Sequence, residues 1–435
     1  MAIPVSFTQL GVICVSFSDN IMVGFLGKKA LASVSLANAV FFIVIIFGLG
    51  ISTSISSLIA SLDAKHEYKK GAMIFYHGLI LNFFLSIIMY VFIHVFFYVI
   101  PYLGQPQEIL NDTISFLRIT ALSFIPWMAF EVFRKFSEGL SLVFPSLIIT
   151  WVSAIVNIIL NYSFINGYYG FPNLGIRGIA YATLISRITM LIGLYLLLYK
   201  YKKVRIYYKY FHYFFKKEYF EKILRIGIPS GLHMLFEMST FSISSFITGK
   251  CGIKELAAHQ IVISLVSSTF LLSTGFSVAA TVRIGNQLAL KNYSELRKIG
   301  WSIIFMGMTF MLLCSFLFVL FRNHIPYIYI KNDNEVVHIA EKMIIIASIF
   351  QLFDGLQGII IGALRGIQDV KIPMWISFFS YWIVALPIAW IFSIYLKMGG
   401  KGVWTGLGIG LTISSMLLMI RYETITKRLI KMNNN

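Results

Sequence analysis

Residues 27–52 read GKKALASVSLANAVFFIVIIFGLGIS, and residues 252–277 read GIKELAAHQIVISLVSSTFLLSTGFS. The two stretches align without a gap. Gly27, Lys29, Leu31, Ala32, Gly50 and Ser52 meet Gly252, Lys254, Leu256, Ala257, Gly275 and Ser277, an offset of 225. A second match, LGIRGIAYAT around Gly178 against MGGKGVWTGL around Gly402, falls at offset 224. Shared glycine and polar positions at nearly one offset mark an internal duplication and set the expected architecture. Repeats of this kind form the two halves of many membrane proteins.

The rest of the 435-residue chain fits a membrane fold. Hydrophobic residues make up 58% and charged residues 12%, against about 25% charged in soluble domains. Twelve apolar segments follow one another: 3–24, 30–61, 71–100, 112–141, 146–166, 174–199, 223–249, 256–289, 299–321, 336–364, 372–396 and 401–420. Each is long enough to cross about 30 Å of hydrocarbon. Runs such as FFIVIIFGLG are continuously apolar, which is helical spacing and not the alternation of a β-barrel. Six segments separate equivalent points of the repeat, so the two halves share one orientation. The expected fold is all-α and polytopic, with twelve transmembrane helices in two pseudo-symmetric six-helix bundles around a central cavity. The expected divisions are 1–199 and 223–420 for the bundles, 200–222 for a basic connector and 421–435 for a tail. The start, AIPVSFTQLGVICVSF after Met1, has no basic n-region and reads as no cleavable signal peptide.

The net charge of +18 is distributed by loop. With both termini on the cytoplasmic side, the inner loops hold 23 Lys and Arg and the outer loops hold 10. That is the positive-inside pattern, here for a cytoplasmic (inner) membrane. The densest run, YKKVRIYYKYFHYFFKKEYFEKILR, lies between segments 6 and 7. Its lysines and aromatics fit an amphipathic helix on anionic lipid, and no nucleic-acid partner is expected. Cys14, Cys251 and Cys314 are far apart and form no metal or redox spacing.

Three acids interrupt apolar segments: Asp19 in VICVSFSDNIMVG, Glu237 in GLHMLFEMSTF and Asp354 in IIASIFQLFDGLQGIIIG. A charge at mid-membrane costs roughly 2.5–3.5 kcal/mol on insertion scales. Such groups face a protein interior or a wet cavity and mark ion or substrate pathways. The repeat places Ser244 opposite Asp19, Val12 opposite Glu237 and, at offset 226, Met128 opposite Asp354. Each acid therefore occurs in one half only, which favours function over scaffold.

The motifs resemble the multidrug and toxic compound extrusion (MATE) family, nearest its NorM-like branch. The resembling stretches are SDNIMVGFLGKKALASVSLANAVFF, FRKFSEGLSLVFPSLI, VNIILNYSFINGYYGFPNLGIRGIAYAT, LFEMSTFSISSFITGKCGIKELAAHQI, VAATVRIGNQLA and FQLFDGLQGIIIGALRGIQDVKIPMWISFFSYWIVALP. They run in order through both halves. The resemblance implies export of lipophilic organic cations in exchange for Na⁺ or H⁺, by alternating access of the bundles. It places Glu237 and Asp354 at the cation-coupling site. It ties Asp19 to substrate or proton handling, beside Asn157 and Asn161 of NIILN. Some relatives carry an aspartate at the position of Asn161, so a proton mechanism confined to the first half is weakened. Na⁺ wants oxygen ligands, and desolvated carboxylates also carry protons, so both ions stay open. No other cofactor is implied, and the expected state is a monomer in the bilayer.

Two alternatives are weighed. A lipid-linked oligosaccharide flippase would want Arg and Lys around a pyrophosphate; Arg118, Arg187 and Arg283 keep that reading, while the acids oppose it. A membrane enzyme lacks support, since H-E-x-x-H, G-x-S-x-G and P-loop motifs are missing. Other residues have structural readings. Arg134 and Glu138 are spaced for a local ion pair. Gly402, Gly406 and Gly410 allow close helix packing. Pro126, Pro145, Pro229, Pro373 and Pro387 start or kink helices. His233, one turn before Glu237, is a core histidine or tunes that acid.

Overall fold

The structure is a computed structural model that describes residues 1–99, 107–168, 170–210, 215–330 and 333–434. Those residues are helical and loop, with no strand among them. Among the described residues, ten helices are long and apolar enough to cross a membrane, and the bent pair α4 (Gln107–Leu122) and α5 (Phe124–Gly139) makes an eleventh span. Helix α9 (Lys217–Cys251) has the length of a twelfth. Its His233, Glu237 and five serines between 230 and 245 lower its hydropathy.

Contacts divide the chain into two units. The first comprises Phe7–Gly231. It holds most of α1 (Ala2–Phe25), then α2 (Lys28–Ala64), α3 (Tyr68–Phe96), α4, α5, α6 (Phe144–Asn166), α7 (Ile176–Tyr199), α8 (Lys202–Tyr208) and the start of α9. The second comprises Met1–Ser6 and Leu232–Asn435. It holds the rest of α9, then α10 (Ile253–Ala289), α11 (Tyr293–Phe321), α12 (Ile325–Tyr329), α13 (Asn334–Gly366), α14 (Lys371–Phe378), α15 (Leu386–Trp390) and α16 (Gly400–Asn434).

The duplication is written in the backbone. Helices α2 and α10 both have 37 residues, and α3 and α11 both have 29, each pair starting 225 apart. Left-handed φ recurs at His66 and Lys291, at Ser141 and Gln368, and at Gly175 and Gly399. Close approach recurs as well. A Cβ on Gly139 would lie 2.9 Å from the Ser56 carbonyl, and one on Gly366 would lie 2.8 Å from the Thr281 carbonyl. Hydroxyls strengthen the second crossing: Ser277 donates to Gly358 O at 2.7 Å and Thr281 to Gly362 O at 2.8 Å. In lipid, such bridges and small residues replace the hydrophobic drive that holds soluble helices together.

Segment 112–141 is not one straight helix: it breaks at Ser123 with a 42° bend. Pro126 has no N–H for the Leu122 carbonyl, and its ring crowds that carbonyl. The same residue in α13, two repeat positions later at offset 227, is Phe353, and α13 runs unbroken for 33 residues. The stretch after Pro373 also departs from α-geometry. Residues Phe379–Ala385 and Ile391–Tyr395 form wide turns on either side of Pro387. Gly402, Gly406 and Gly410 face these turns, and a Cβ on Gly406 or Gly410 would come within 2.4 Å of Ala389 or Ala385. The glycine run is a packing face, as its spacing predicts.

The basic connector differs from a helix lying free on lipid. It begins with the seven-residue α8, with Val204 and Tyr207 buried. The Tyr207 hydroxyl donates to Asp63 Oδ1 at 2.9 Å; Lys203 pairs with Asp63 Oδ2 at 2.7 Å and donates to Leu140 O at 2.9 Å. Asp63, the acid near the end of α2, captures the connector that composition assigns to lipid. Residues 211–214 of the run lie outside the described residues, and α9 begins at Lys217. Residues 421–434 continue α16, with Arg421 paired to Asp369 at 2.9 Å.

Candidate functional site

Asp19 lies near the end of α1, in the first unit, and is half-buried. Asn157 and Asn161 project from one face of α6, four residues apart, and both are fully buried. Asn161 Nδ2 donates to Asp19 Oδ1 at 2.5 Å and to Asn157 Oδ1 at 3.1 Å. The three residues grouped from sequence thus form one cluster. Asn157 Nδ2 and Asn161 Oδ1 have no hydrogen-bond partner among the described residues. Buried amide atoms of this kind are costly unless something polar reaches them. The cluster therefore keeps one free donor and one free acceptor beside a carboxylate.

Arg187, on α7, also faces this cluster. Its charge acts on Asp19, though the two are not in ion-pair contact among the described residues. The guanidinium sits 4.0 Å from the Trp127 ring centroid and 4.7 Å from that of Phe41. Its Nη1 donates to the Ser123 hydroxyl.

The second unit has a separate acidic cluster. Glu237 of α9 is 6% exposed and Asp354 of α13 is 3% exposed. The two carboxylates interact electrostatically, and Tyr381 interacts with both. The Tyr381 hydroxyl is 2.8 Å from Gln357 Oε1 and 3.4 Å from Glu237 Oε1. One hydroxyl carries one proton, so the shorter contact is the bond and the longer one its alternative. Carboxylates, phenol and amide oxygen together are the all-oxygen donor set a hard monovalent cation takes. His233 is buried, and neither ring nitrogen bonds Glu237 or any other described group. The charge of Arg365 acts on both His233 and Glu237.

Tyr381, Gln357 and Arg187 are neighbours of these clusters that spacing alone does not reveal. Tyr381 lies in the wide turn Phe379–Ala385, where the Leu386 N–H reaches back to the Tyr381 carbonyl. Such a turn shifts every later residue off a 3.6-residue register. The charged group at the end of α5 is a local network, as its spacing predicts. Arg134 pairs with Glu131 at 2.7 Å and Glu138 at 3.7 Å, and Lys135 with Glu138 at 2.7 Å.

A polytopic helical membrane protein with two internal polar clusters, one per repeat, is a transporter-like architecture. The MatE family model matches residues 4–163 and 229–391, and the chain belongs to that family. It is 30% identical to a protein of Mesorhizobium japonicum described as "Probable multidrug resistance protein NorM", over 97% of this chain and 92% of that one. It is also 30% identical to a protein of the same description from Pseudomonas aeruginosa, over 99% and 89%. Among solved structures, "Crystal structure of MATE in the straight conformation" superposes with a TM-score of 0.89 at 20% identity, covering 99% and 96% of the two chains. A MOP superfamily transporter from Pyrococcus furiosus superposes with a TM-score of 0.88 at 21% identity, covering 99% and 95%. These likenesses place the fold with the twelve-helix MATE transporters.

Proposed function

We propose that this protein is a secondary active multidrug efflux transporter. It exports lipophilic organic cations against an inward flow of Na⁺ or H⁺, by alternating access. The observation that carries the reading is the buried pair Glu237 and Asp354 in a chain of the MatE family. Two carboxylates held in low dielectric are costly while both are bare. A monovalent cation or a proton relieves that cost, and its release restores it. Asp19, with Asn157 and Asn161, handles the organic cation or a proton in the first unit. Aromatic faces nearby suit a lipophilic cation. The names of the NorM relatives support the same class of cargo.

The protein sits in the cytoplasmic membrane of a bacterium as a monomer, with both termini inside. The loop distribution of Lys and Arg supports this orientation. Lys209→Cys should be shielded from impermeant thiol reagents in intact cells, and labelling from outside would overturn it. The coupling reading is tested in proteoliposomes. Efflux of tetraphenylphosphonium is measured under Na⁺ and H⁺ gradients imposed one at a time. Efflux driven by either gradient is expected, and none under both would sink the reading.

A further inference from the structure

We propose that the hydroxyls of Ser377, Ser380 and Ser414, with water between them, form the route by which a coupling proton leaves Glu237 and Asp354 for the cytoplasm, with Tyr381 at its inner end. The proposal rests on the export reading above and on its orientation, and it commits the coupling ion to H⁺.

Serine and threonine inside a helix commonly donate back to a carbonyl one turn earlier. From α14 to α16, Ser393, Thr405, Thr412, Ser415, Thr424 and Thr426 all do so. Ser377, Ser380 and Ser414 do not. Their hydroxyls have no hydrogen-bond partner among the described residues, and all three residues are fully buried. A buried hydroxyl left alone is costly, and ordered water is the usual partner of such a group.

The three hydroxyls gather around Tyr381. Ser380 and Tyr381 follow Ser377 by three and four residues, so all three share one helix face. Gly402 packs on Phe392, Gly406 on Ala389, and Gly410 on Ala385 and the Ser380 carbonyl. The same antiparallel register, carried one turn further, sets Ser414 beside Tyr381. The Tyr381 hydroxyl reaches Gln357 and Glu237. Gln357 Nε2 is a further buried donor with no acceptor among the described residues. Wide turns such as Phe379–Ala385 recur at functional sites.

Chain order gives the direction. Lys371 opens α14 just after Asp369, whose ion pair with Arg421 marks the cytoplasmic end. From Ser377 to Tyr381 the helix rises about 6 Å. A hydroxyl donates and accepts at once. The carboxyl gives up its proton and becomes a carboxylate. Each hydroxyl or water then takes one proton and releases one, and the last joins cytoplasmic water. A metal cation would instead need several oxygens around it at every stop. His233, one turn before Glu237, and Arg365, whose charge reaches it, are the other ionisable groups here; the test leaves both intact.

The full-length protein is reconstituted in liposomes with tetraphenylphosphonium as the probe. Wild-type efflux should run on a pH gradient and not on a Na⁺ gradient. In the double variant Ser380→Ala, Ser414→Ala, pH-driven efflux should fall about tenfold or more. Exchange of labelled for unlabelled probe at equal pH, which needs no proton to leave, should continue. The melting temperature should hold or rise, because two unpaired polar groups are gone. The proposal is overturned if Na⁺ alone drives the wild type, an arm that needs no variant. It is also overturned if the double variant keeps full pH-driven efflux, or if exchange and melting temperature fall together with efflux. Absence of wild-type efflux under either gradient instead overturns the export reading, and the two failures are thus told apart.

Discussion

The two repeats share a backbone and differ in chemistry. Helix lengths and left-handed loop residues coincide: His66 with Lys291, Ser141 with Gln368, and Gly175 with Gly399. The ionisable groups do not. Asp19 stands opposite Ser244, and Glu237 opposite Val12. The glycine ends Gly139 and Gly366 set the later offset at 227, which puts Trp127, not Met128, opposite Asp354. So the second unit carries a carboxylate where the first carries an indole under an arginine. Duplication preserved what sets chain direction, and divergence concentrated where charges and bends lie.

The sharpest way to break this comparison is to neutralise the acids. Glu237→Gln and Asp354→Asn should each bring gradient-driven efflux to the background of empty liposomes, with protein still inserted. Normal efflux in both would remove the second unit's claim to the coupling site. Asp19→Asn should leave partial, slower efflux, because Asn161 can still bond the amide while the charge is gone. Unchanged transport there would make Asp19 a helix-stabilising group.

Swapping the break between halves comes next. Phe353→Pro should cost α13 about 3 kcal/mol or more, whereas Pro126→Ala, which restores a missing N–H, should cost far less. Thermal unfolding in detergent reads both; equal costs would mean the two halves tolerate bends alike. The glycine face gives a smaller effect. Gly406→Ala should cost roughly 1–3 kcal/mol, because its Cβ meets Ala389 backbone. The repeat-equivalent Ala182→Gly in the first unit should cost only about 1 kcal/mol. The smallest effect concerns α8. Burial and the Asp63 carboxylate push the Tyr207 phenol above its ordinary value of 10.0. The folded state therefore holds this proton more tightly than the unfolded chain. Its contribution is complete below pH 10 and is lost as pH rises beyond it. Melting curves should fall more steeply above about pH 10 in wild type than in Tyr207→Phe.

Much of this was legible in the residues. The repeat is visible because glycines and lysines at loop starts align, and α2 and α10 begin 225 apart as the alignment requires. Spacing puts Asn157 and Asn161 on one helix face, and the family resemblance ties Asp19 to them. Other partners were hidden for physical reasons. Tyr381 sits in a wide turn that breaks helical counting. Arg187 looks like a stray charge until Phe41 from one segment and Ser123 and Trp127 from another are folded around it. The connector's basic, aromatic composition suits lipid, yet Asp63, more than a hundred residues earlier, holds it. Composition registers affinity for a surface but not the presence of a nearer partner.

The assignment of Met1–Ser6 to the second unit, and of residues 217–231 to the first, bears on the order of events during synthesis. Ser6 donates to Leu272 O at 2.5 Å, and a Cβ on Gly275 would lie 2.4 Å from Ala2 O. Gly227 and Gly231 pack against Ile51 and Phe47. The first unit thus stays unfinished until the start of α9 has been made. Residues 1–6 wait until Leu272 and Gly275 have been made before they meet their partners. At about 5–20 residues per second, that wait lasts on the order of ten seconds or more. During it the head of α1 is exposed to chaperones, to lipid and to proteases.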